Sequence, residues 1–428
     1  MATLFERGGI GENITTAEKR AALEQALKRT GKTLRRVLIL PPDHTRLNSG
    51  AGELTRLAYE MLAPAAAVDI MPTLGTHSPM TPAQLRMFFG DTIPLDRFKV
   101  HDWRGGVRQV GAVPGTLVKE WSEGRVDYDV RVEVSNQLFA GYDLILSVGQ
   151  LVPHEVVGIA NYTKNIMTGA GGADTINKSH FLGAAYGMER MMGRIDTPVR
   201  KLFNYGVEKF LGGLPLLYVL TVMQKNPATG QMVMRGLYIG DDHAAFTAGA
   251  RLSQKVNLDL LAAPLKKVLV YLDPHEFKST WLGNKAIYRT RMVMADGGDL
   301  IILAPGLKEF GEDPEIDRLI RKFGYRGTPA TLAAVKEHAE LRNNLSAAAH
   351  LIHGSSEGRF RVTYCPGPQM TAEAVRSVGF EAGALDAYRT EGLRDGVNRL
   401  PNGEEIFYIS NPALGLWALQ SQFPGAQT

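Results

Sequence analysis

Three stretches of the chain set chemistry-bearing side chains directly after apolar runs. In Leu38–Asn48, LILPPDHTRLN, an apolar run meets Pro41-Pro42, and Asp43, His44, Thr45 and Arg46 follow at once. Proline interrupts strand pairing, so the quartet falls at a strand's carboxyl end. There Arg46 presents a planar fork suited to a carboxylate or a phosphate. Asp43 is able to orient a partner, or Asp43 or Thr45 simply caps the next helix. In Ile70–Pro82, IMPTLGTHSPMTP, an apolar run ends in a glycine turn and His77 follows. Thr81 reads as a helix cap with Pro82 at the first helical position. A lone loop histidine is more often a surface residue than a catalyst. What singles His77 out is the repeat of apolar run, turn and polar residue.

The richest stretch is Leu144–Gly183, LILSVGQLVPHEVVGIANYTKNIMTGAGGADTINKSHFLG. It carries His154, Lys164, the glycines Gly169, Gly171 and Gly172, and then His180. Glycine-rich backbone ahead of a helix can cradle an anionic group with its N–H donors. A buried lysine in such a loop can serve as a covalent attachment point or as a charge partner. His154 and His180 are 26 residues apart, so no local ligand spacing supports a zinc site. The glycines match neither G-x-G-x-x-G nor a P-loop, so a common nucleotide site is not supported. Further on, WLGNK at Trp281–Lys285 offers Lys285 as an anion partner from an opposite domain, or as a solvated lysine opening a helix. His243, His275, His338, His350 and His353 form no visible constellation.

These residues need strands and helices to place them. Short apolar runs recur at Val37–Leu40, Val68–Met71, Leu144–Val148, Leu216–Val222, Val268–Leu272, Leu300–Ala304, Arg361–Tyr364 and Ile406–Ser410. Most do not alternate, as expected of strands buried on both faces. Helical patterns lie between them, as in Thr16–Lys28, Leu54–Leu62 and Leu332–Asn343. The alternation predicts an α/β protein with largely parallel sheets. Its 428 residues call for two domains. A connecting helix over Leu252–Lys267 puts a boundary near residue 265, giving an N-terminal domain over 1–265 and a C-terminal one over 266–400, which opens with Val268–Leu272, the Asp296–Asp299 turn and Leu300–Ala304. The segment 401–428 is a candidate return to the first domain.

Composition narrows the class. With 44% hydrophobic and 21% charged residues the chain reads as a soluble globular enzyme. A net charge of +4 with no block of like charge gives no case for nucleic acid. The single cysteine, Cys365, excludes an internal disulfide and a thiolate-ligated cluster. The amino terminus lacks the apolar core of a signal peptide. No run reaches the roughly 18 apolar residues of a membrane span. The expected setting is cytoplasmic, without a membrane or nucleic-acid partner.

Taken in order, DHTR at Asp43–Arg46, LGTH at Leu74–His77, PH at Pro153–His154, the lysine of NYTKN, the glycine turn, the histidine of NKSH and the lysine of WLGNK resemble the lactate racemase family that uses a nickel-pincer nucleotide. The pieces span roughly residues 38 to 300. None is specific alone; their order makes chance agreement improbable. The resemblance implies two α/β domains with the active site in the cleft between them. It implies an isomerase acting on a small 2-hydroxy acid, and a cofactor that is a pyridinium-3,5-bisthiocarboxylic acid mononucleotide holding nickel. His180 would be the protein ligand to nickel. Lys164 would match the lysine that holds the cofactor, alongside Asp43, Thr45, Gly169, Gly171 and Gly172. His77 and His154 would be the acid/base pair, and Arg46, Lys285 and Trp281 would contact substrate. Accessory enzymes that build the cofactor would be its partners.

The implied chemistry is coherent. The α-hydrogen of a 2-hydroxy acid is poorly acidic, so removing it as hydride while a histidine takes the hydroxyl proton avoids a carbanion. The planar 2-keto acid can then be rebuilt from either face. Histidine suits the proton because its unperturbed pKa lies near working pH. Two departures stand out. The family has Ser-Gly-Gly in the loop before its lysine, where this chain has Asn161-Tyr162-Thr163, and a Tyr-Gln pair before the second lysine, where this chain has Trp281-Leu282. The glutamine's polar contact is lost, which implies an altered substrate pocket. Three alternatives remain: a 2-epimerase of aldonic acids, with Asn161, Tyr162 and Asn165 contacting extra hydroxyls; a non-catalytic binder of the cofactor; and, with least support, a zinc hydrolase.

Overall fold

The computed structural model describes residues 3–226 and 229–426, and the chain divides into two compact units. The first runs to Leu182 and resumes over Arg190–Asn257; the second takes Gly183–Glu189 and continues from Leu258. The first is built on a six-stranded sheet of β1 (Thr3–Gly8), β2 (Arg36–Leu40), β3 (Ala67–Ile70), β4 (Leu144–Gln150), β5 (Leu216–Lys225) and β6 (Met232–Gly240). Its order is β1-β6-β5-β4-β2-β3. Strands β3, β2, β4 and β5 are mutually parallel, and β6 and β1 add an antiparallel edge. The apolar runs become strands because both faces are covered: Val37 through Leu40 have no exposed surface. Leu54, Leu57, Ala58 and Phe89 share one core cluster with Val37, Ile39, Leu144 and Leu146.

The second unit has its own six-stranded sheet of β7 (Leu265–Tyr271), β8 (Met294–Ala304), β9 (Arg361–Pro366), β10 (Glu381–Ala382), β11 (Gly396–Arg399) and β12 (Glu405–Ile409). Its order is β10-β9-β8-β7-β12-β11, parallel except for the β11–β12 pair. Mixed α/β architecture with largely parallel sheets is therefore what the chain adopts.

Four local expectations change. The helix before the division ends at Asn257, short of the boundary expected near 265. Asp296–Asp299 is not a turn between elements but a bulge inside β8, with Gly297 at φ +75° and the register against β7 shifted. The segment after Pro401 does not return to the first unit: its strand β12 lies against β7. The helical pattern of Leu332–Asn343 breaks at His338, whose extended φ −114°, ψ 112° separates Thr328–Glu337 from Ala339–Arg342. Among the described residues, no helix is long and apolar enough to cross a membrane.

Candidate functional site

Parallel α/β sheets build their sites outside the carboxyl ends of the strands, and the first unit follows that rule. Pro42 bridges Thr73 just beyond β2 and β3. Asp43 then caps the 3-10 turn His44–Ser49, its Oδ1 accepting from the backbone N–H and the hydroxyl of Thr45. Its other oxygen lies 2.6 Å from His77 Nδ1. Both readings of Asp43, as a cap and as an orienting partner, therefore hold together. Burial of the 3% exposed Asp43 would raise its pKa, but the hydrogen bonds from His77 and Thr45 outweigh this and hold it below its ordinary value. A carboxylate at Nδ1 fixes the proton there and leaves Nε2 of His77 as the acceptor. That imidazole reaches solvent, its side chain 56% exposed.

His154 is the opposite case. It sits in the two-residue strand Pro153–His154, buried. Its Nδ1 accepts the backbone N–H of Val156 at 3.0 Å, so a neutral ring carries its proton on Nε2. Burial first, and then the charges of Lys164 and Arg46, drive its pKa well below the ordinary value, against the raising effect of Glu155. One histidine presents a lone pair and the other an N–H.

Lys164 follows the turn that contains Asn161 and Tyr162, and it opens the π-helical turn Asn165–Gly169. Burial and the neighbouring Arg46 lower its pKa to about 8, which gives an amine with a substantial neutral fraction near neutrality. Asn165 ties the loop to the end of β2, the middle of β4 and the residues just past β3. Its Nδ2 donates to Leu40 O at 3.0 Å and to Ser147 Oγ at 2.9 Å, and its Oδ1 accepts from Thr73 Oγ1 at 2.7 Å. Removing it as Asn165→Ala takes this donor from Leu40 O and Ser147 Oγ, while the Thr73 hydroxyl keeps Pro41 O at 2.9 Å, and is expected to cost about 2–4 kcal/mol. Urea unfolding reads this directly, and a shift under about 0.5 kcal/mol, the scale of an ordinary surface substitution, would show that the hub is dispensable.

His180 lies on the helix Ala173–Tyr186 and donates from Nδ1 to Ile176 O at 2.6 Å. Its Nε2 keeps a free lone pair. Burial and Lys164 lower its pKa to about 4, so the ring is neutral across the working range. A neutral imidazole with its far nitrogen anchored on a carbonyl is the form that binds a metal.

The glycine turn behaves differently from the expected anion cradle. The N–H of Gly171 donates to Thr168 O and that of Gly172 to Glu133 O, so neither is offered outward. These glycines serve close packing instead: a Cβ at Gly171 would strike the carbonyl of Met167, and one at Gly172 would lie 2.6 Å from Glu133 Cβ. His101, buried and unremarked in the sequence, holds the Gly171 carbonyl at 3.0 Å. Gly169 accepts the Gly75 N–H at 2.9 Å and so joins the His77 loop to this turn.

The first unit thus brings together Asp43, Thr45 and His77, and places Arg46, His154, Lys164 and His180 within reach of one another's charge. Glu155, absent from the sequence reading, acts on the same group, its carboxylate 3.8 Å from His154 Nδ1. Among the described residues no cluster of three or more His, Cys, Asp or Glu could hold a metal by itself.

Trp281 and Lys285 belong to the second unit. Trp281 lies against His350, ring centres 4.3 Å apart, and His350 Nε2 is 2.9 Å from the Tyr325 hydroxyl. Lys285 Nζ sits 5.5 Å from the centre of the buried Phe277 ring. Burial first, then His353, lowers the pKa of His350 from 6.5 to about 3. The unfolded chain accepts a proton below about pH 6.5 that folded His350 refuses, so its contribution is full above that pH and is lost as pH falls toward 3. An acid titration of stability is expected to fall more gently for His350→Phe than for the natural chain; identical slopes would remove His350 as a cause.

The fold and the clustered strand-end side chains define a two-unit α/β protein of the lactate racemase fold. The structure is similar to that of the lactate racemase apoprotein from Thermoanaerobacterium thermosaccharolyticum, with a TM-score of 0.67 and 16% identity over 93% of this chain and 92% of that one. It is also similar to a structural-genomics protein from Thermotoga maritima, with a TM-score of 0.79 and 22% identity over 96% and 99% of the two chains. Residues 10–191 match the family model of the lactate racemase N-terminal domain, so the family resemblance read from the motifs is established over that stretch. Across the rest of the chain the likeness is one of fold. No curated protein sequence matches the chain.

Proposed function

We propose that the protein is an isomerase that inverts carbon 2 of a small 2-hydroxy acid with a nickel-pincer nucleotide as cofactor. The observation that carries this reading is the pair of histidines in complementary states: His77 with an acceptor Nε2 backed by Asp43, and buried His154 with a donor Nε2. A carrier of the cofactor has no use for such a pair. Arg46 is the partner for the substrate carboxylate, its fork suited to two parallel hydrogen bonds. Lys285 and Trp281 are assigned to substrate on the resemblance.

The residues present fit the cofactor. His180 offers a neutral, anchored imidazole with a free Nε2 as the protein's ligand to nickel. Lys164 offers an amine able to bond a carboxyl-derived group. When bound, that cofactor supplies the acceptor for the α-hydrogen as hydride. His77 takes the hydroxyl proton on Nε2, and the ionised Asp43 stabilises the imidazolium that forms. His154 would donate an Nε2 hydrogen bond to the carbonyl oxygen of the planar keto acid once it has turned its other face, and the imidazolium of His77 would return the proton as the hydroxyl is rebuilt.

Asp43→Asn tests the dyad. The amide no longer enforces the Nδ1–H tautomer, so turnover is expected to fall roughly 10²–10⁴-fold while the thermal midpoint moves little. Activity within about twofold of the natural enzyme, a margin well inside general-base effects, would leave Asp43 as a helix cap alone. The aldonic-acid alternative loses part of its support. Asn165 is fully engaged with Leu40, Ser147 and Thr73, the Tyr162 ring is buried, and Asn161 Oδ1 accepts the Tyr162 N–H.

A further inference from the structure

The loop before Lys164 is strained. Asn161 at φ +63° and Tyr162 at φ +57° are consecutive left-handed residues, and neither is glycine. Asparagine tolerates that region; a bulky tyrosine there is an outlier and persists only where its surroundings hold it. The surroundings are specific. The Tyr162 ring stacks on Phe246 at 5.0 Å and tilts against Tyr218 at 4.5 Å. Beneath the loop lies Arg200, 1% exposed, on the helix Pro198–Phe210. Its Nη1 donates to Thr163 Oγ1 at 2.7 Å and to Asn161 O at 3.2 Å, and its Nη2 to Ile159 O at 2.5 Å and to Asn161 O at 3.2 Å. The guanidinium also covers the Phe246 ring at 4.4 Å.

Among the described residues every hydrogen bond of that guanidinium goes to the loop Ile159–Thr163; none goes to a carboxylate, and Nε has no partner. Burying a cation without a counter-charge is unfavourable, so a residue that served only to fill space would be better apolar. We propose that Arg200 is a positioning residue that clamps the strained Asn161-Tyr162 turn and thereby fixes where Lys164 stands. Glycines would adopt the same turn without strain; here a buried arginine imposes it on larger residues. The inference rests on the reading that Lys164 serves the site, but the clamp itself is measurable on the chain without cofactor or substrate.

Amide hydrogen exchange of the segment 159–165 provides that measurement. In Arg200→Met these amides are expected to exchange roughly tenfold faster or more, while those of the helix Pro198–Phe210 stay within about twofold of the natural chain. Arg200→Lys, which keeps the charge and can reach one carbonyl, is expected to fall between. Adding Asn161→Gly and Tyr162→Gly together to Arg200→Met should restore most of the protection, because glycines hold the left-handed turn without help. That rescue separates a clamp from a general packing role. The proposal is overturned if the loop exchanges as in the natural chain, if helix and loop loosen together, or if the glycines bring no recovery. Should Arg200→Met fail to fold, the same comparison with Arg200→Lys, alone and with Asn161→Gly and Tyr162→Gly, decides it. Loss of racemase activity with an intact clamp would count against the proposed function and not against Arg200.

Discussion

His77→Ala is expected to lower inversion of the 2-hydroxy acid by roughly 10²–10⁴-fold, the usual contribution of a positioned general base. The variant should keep its fold, because the imidazole is more than half exposed and the bond it gives up is to a single carboxylate. Asp43 would retain Thr45 as its partner. His154→Ala is also expected to be impaired, but for a different reason: it removes a buried N–H donor, and with it part of the packing under the loop. The two variants therefore differ in stability as well as rate. A thermal midpoint near that of the natural chain is expected for His77→Ala, and a lowered one for His154→Ala. Chiral chromatography of the product and a melting curve of each variant check both statements. Near-natural inversion by His77→Ala would remove the dyad from the mechanism.

The second large effect concerns the metal. His180→Ala deletes a neutral imidazole whose Nδ1 is anchored on Ile176 O and whose Nε2 is left to accept. Protein produced together with the cofactor-building enzymes is expected to lose most of its nickel on this substitution. Its folded state should survive, since the helix Ala173–Tyr186 does not depend on that side chain for a cap. Elemental analysis of the loaded protein gives the nickel content. Unchanged nickel in His180→Ala would place the metal on other donors and sink the ligand assignment. Losing nickel from His77→Ala instead would exchange the roles of the two histidines.

Much of the site was legible in the sequence because strand ends in parallel sheets are marked by a change of residue type. The run Val37–Leu40 followed by two prolines, and Leu144–Val148 running toward a glycine, announce where a buried strand stops and functional side chains begin. Those edges single out His77, His154 and Lys164 as candidates, whereas His180 stands two turns into the helix Ala173–Tyr186. What joins them was not legible. The bond from Asp43 to His77 spans 34 positions, and the reach of Asn165 to Leu40 spans 125, and nothing local marks either. Arg200 left a trace: it is a cation on the buried face of its helix, in register with Phe203 and Val207, and such a residue is rarely buried without a task. The glycine turn misled, because glycine is used both where backbone N–H groups face a ligand and where chains pass too close for a Cβ. Here Gly171 and Gly172 are the second kind. In the fold, β12 was read as a strand but placed in the wrong unit, since sequence order alone does not say which sheet edge a terminal strand joins. The hairpin of Val107–Val113 and Val130–Ser135 was overlooked, although VRVEVS alternates strictly.

The central claim is inversion through hydride transfer at a site built by His77 and His154. Its most direct test incubates the cofactor-loaded protein with a panel of 2-hydroxy acids and aldonates in heavy water. Each product is then resolved by chiral chromatography and weighed by mass spectrometry. The account predicts inversion of at least one short 2-hydroxy acid with no deuterium at the α-carbon, because hydride leaves and returns without meeting solvent. Inversion with deuterium incorporated at that carbon would mean ordinary proton abstraction and would contradict it, and loaded protein that inverts no member of the panel would point to the cofactor carrier instead.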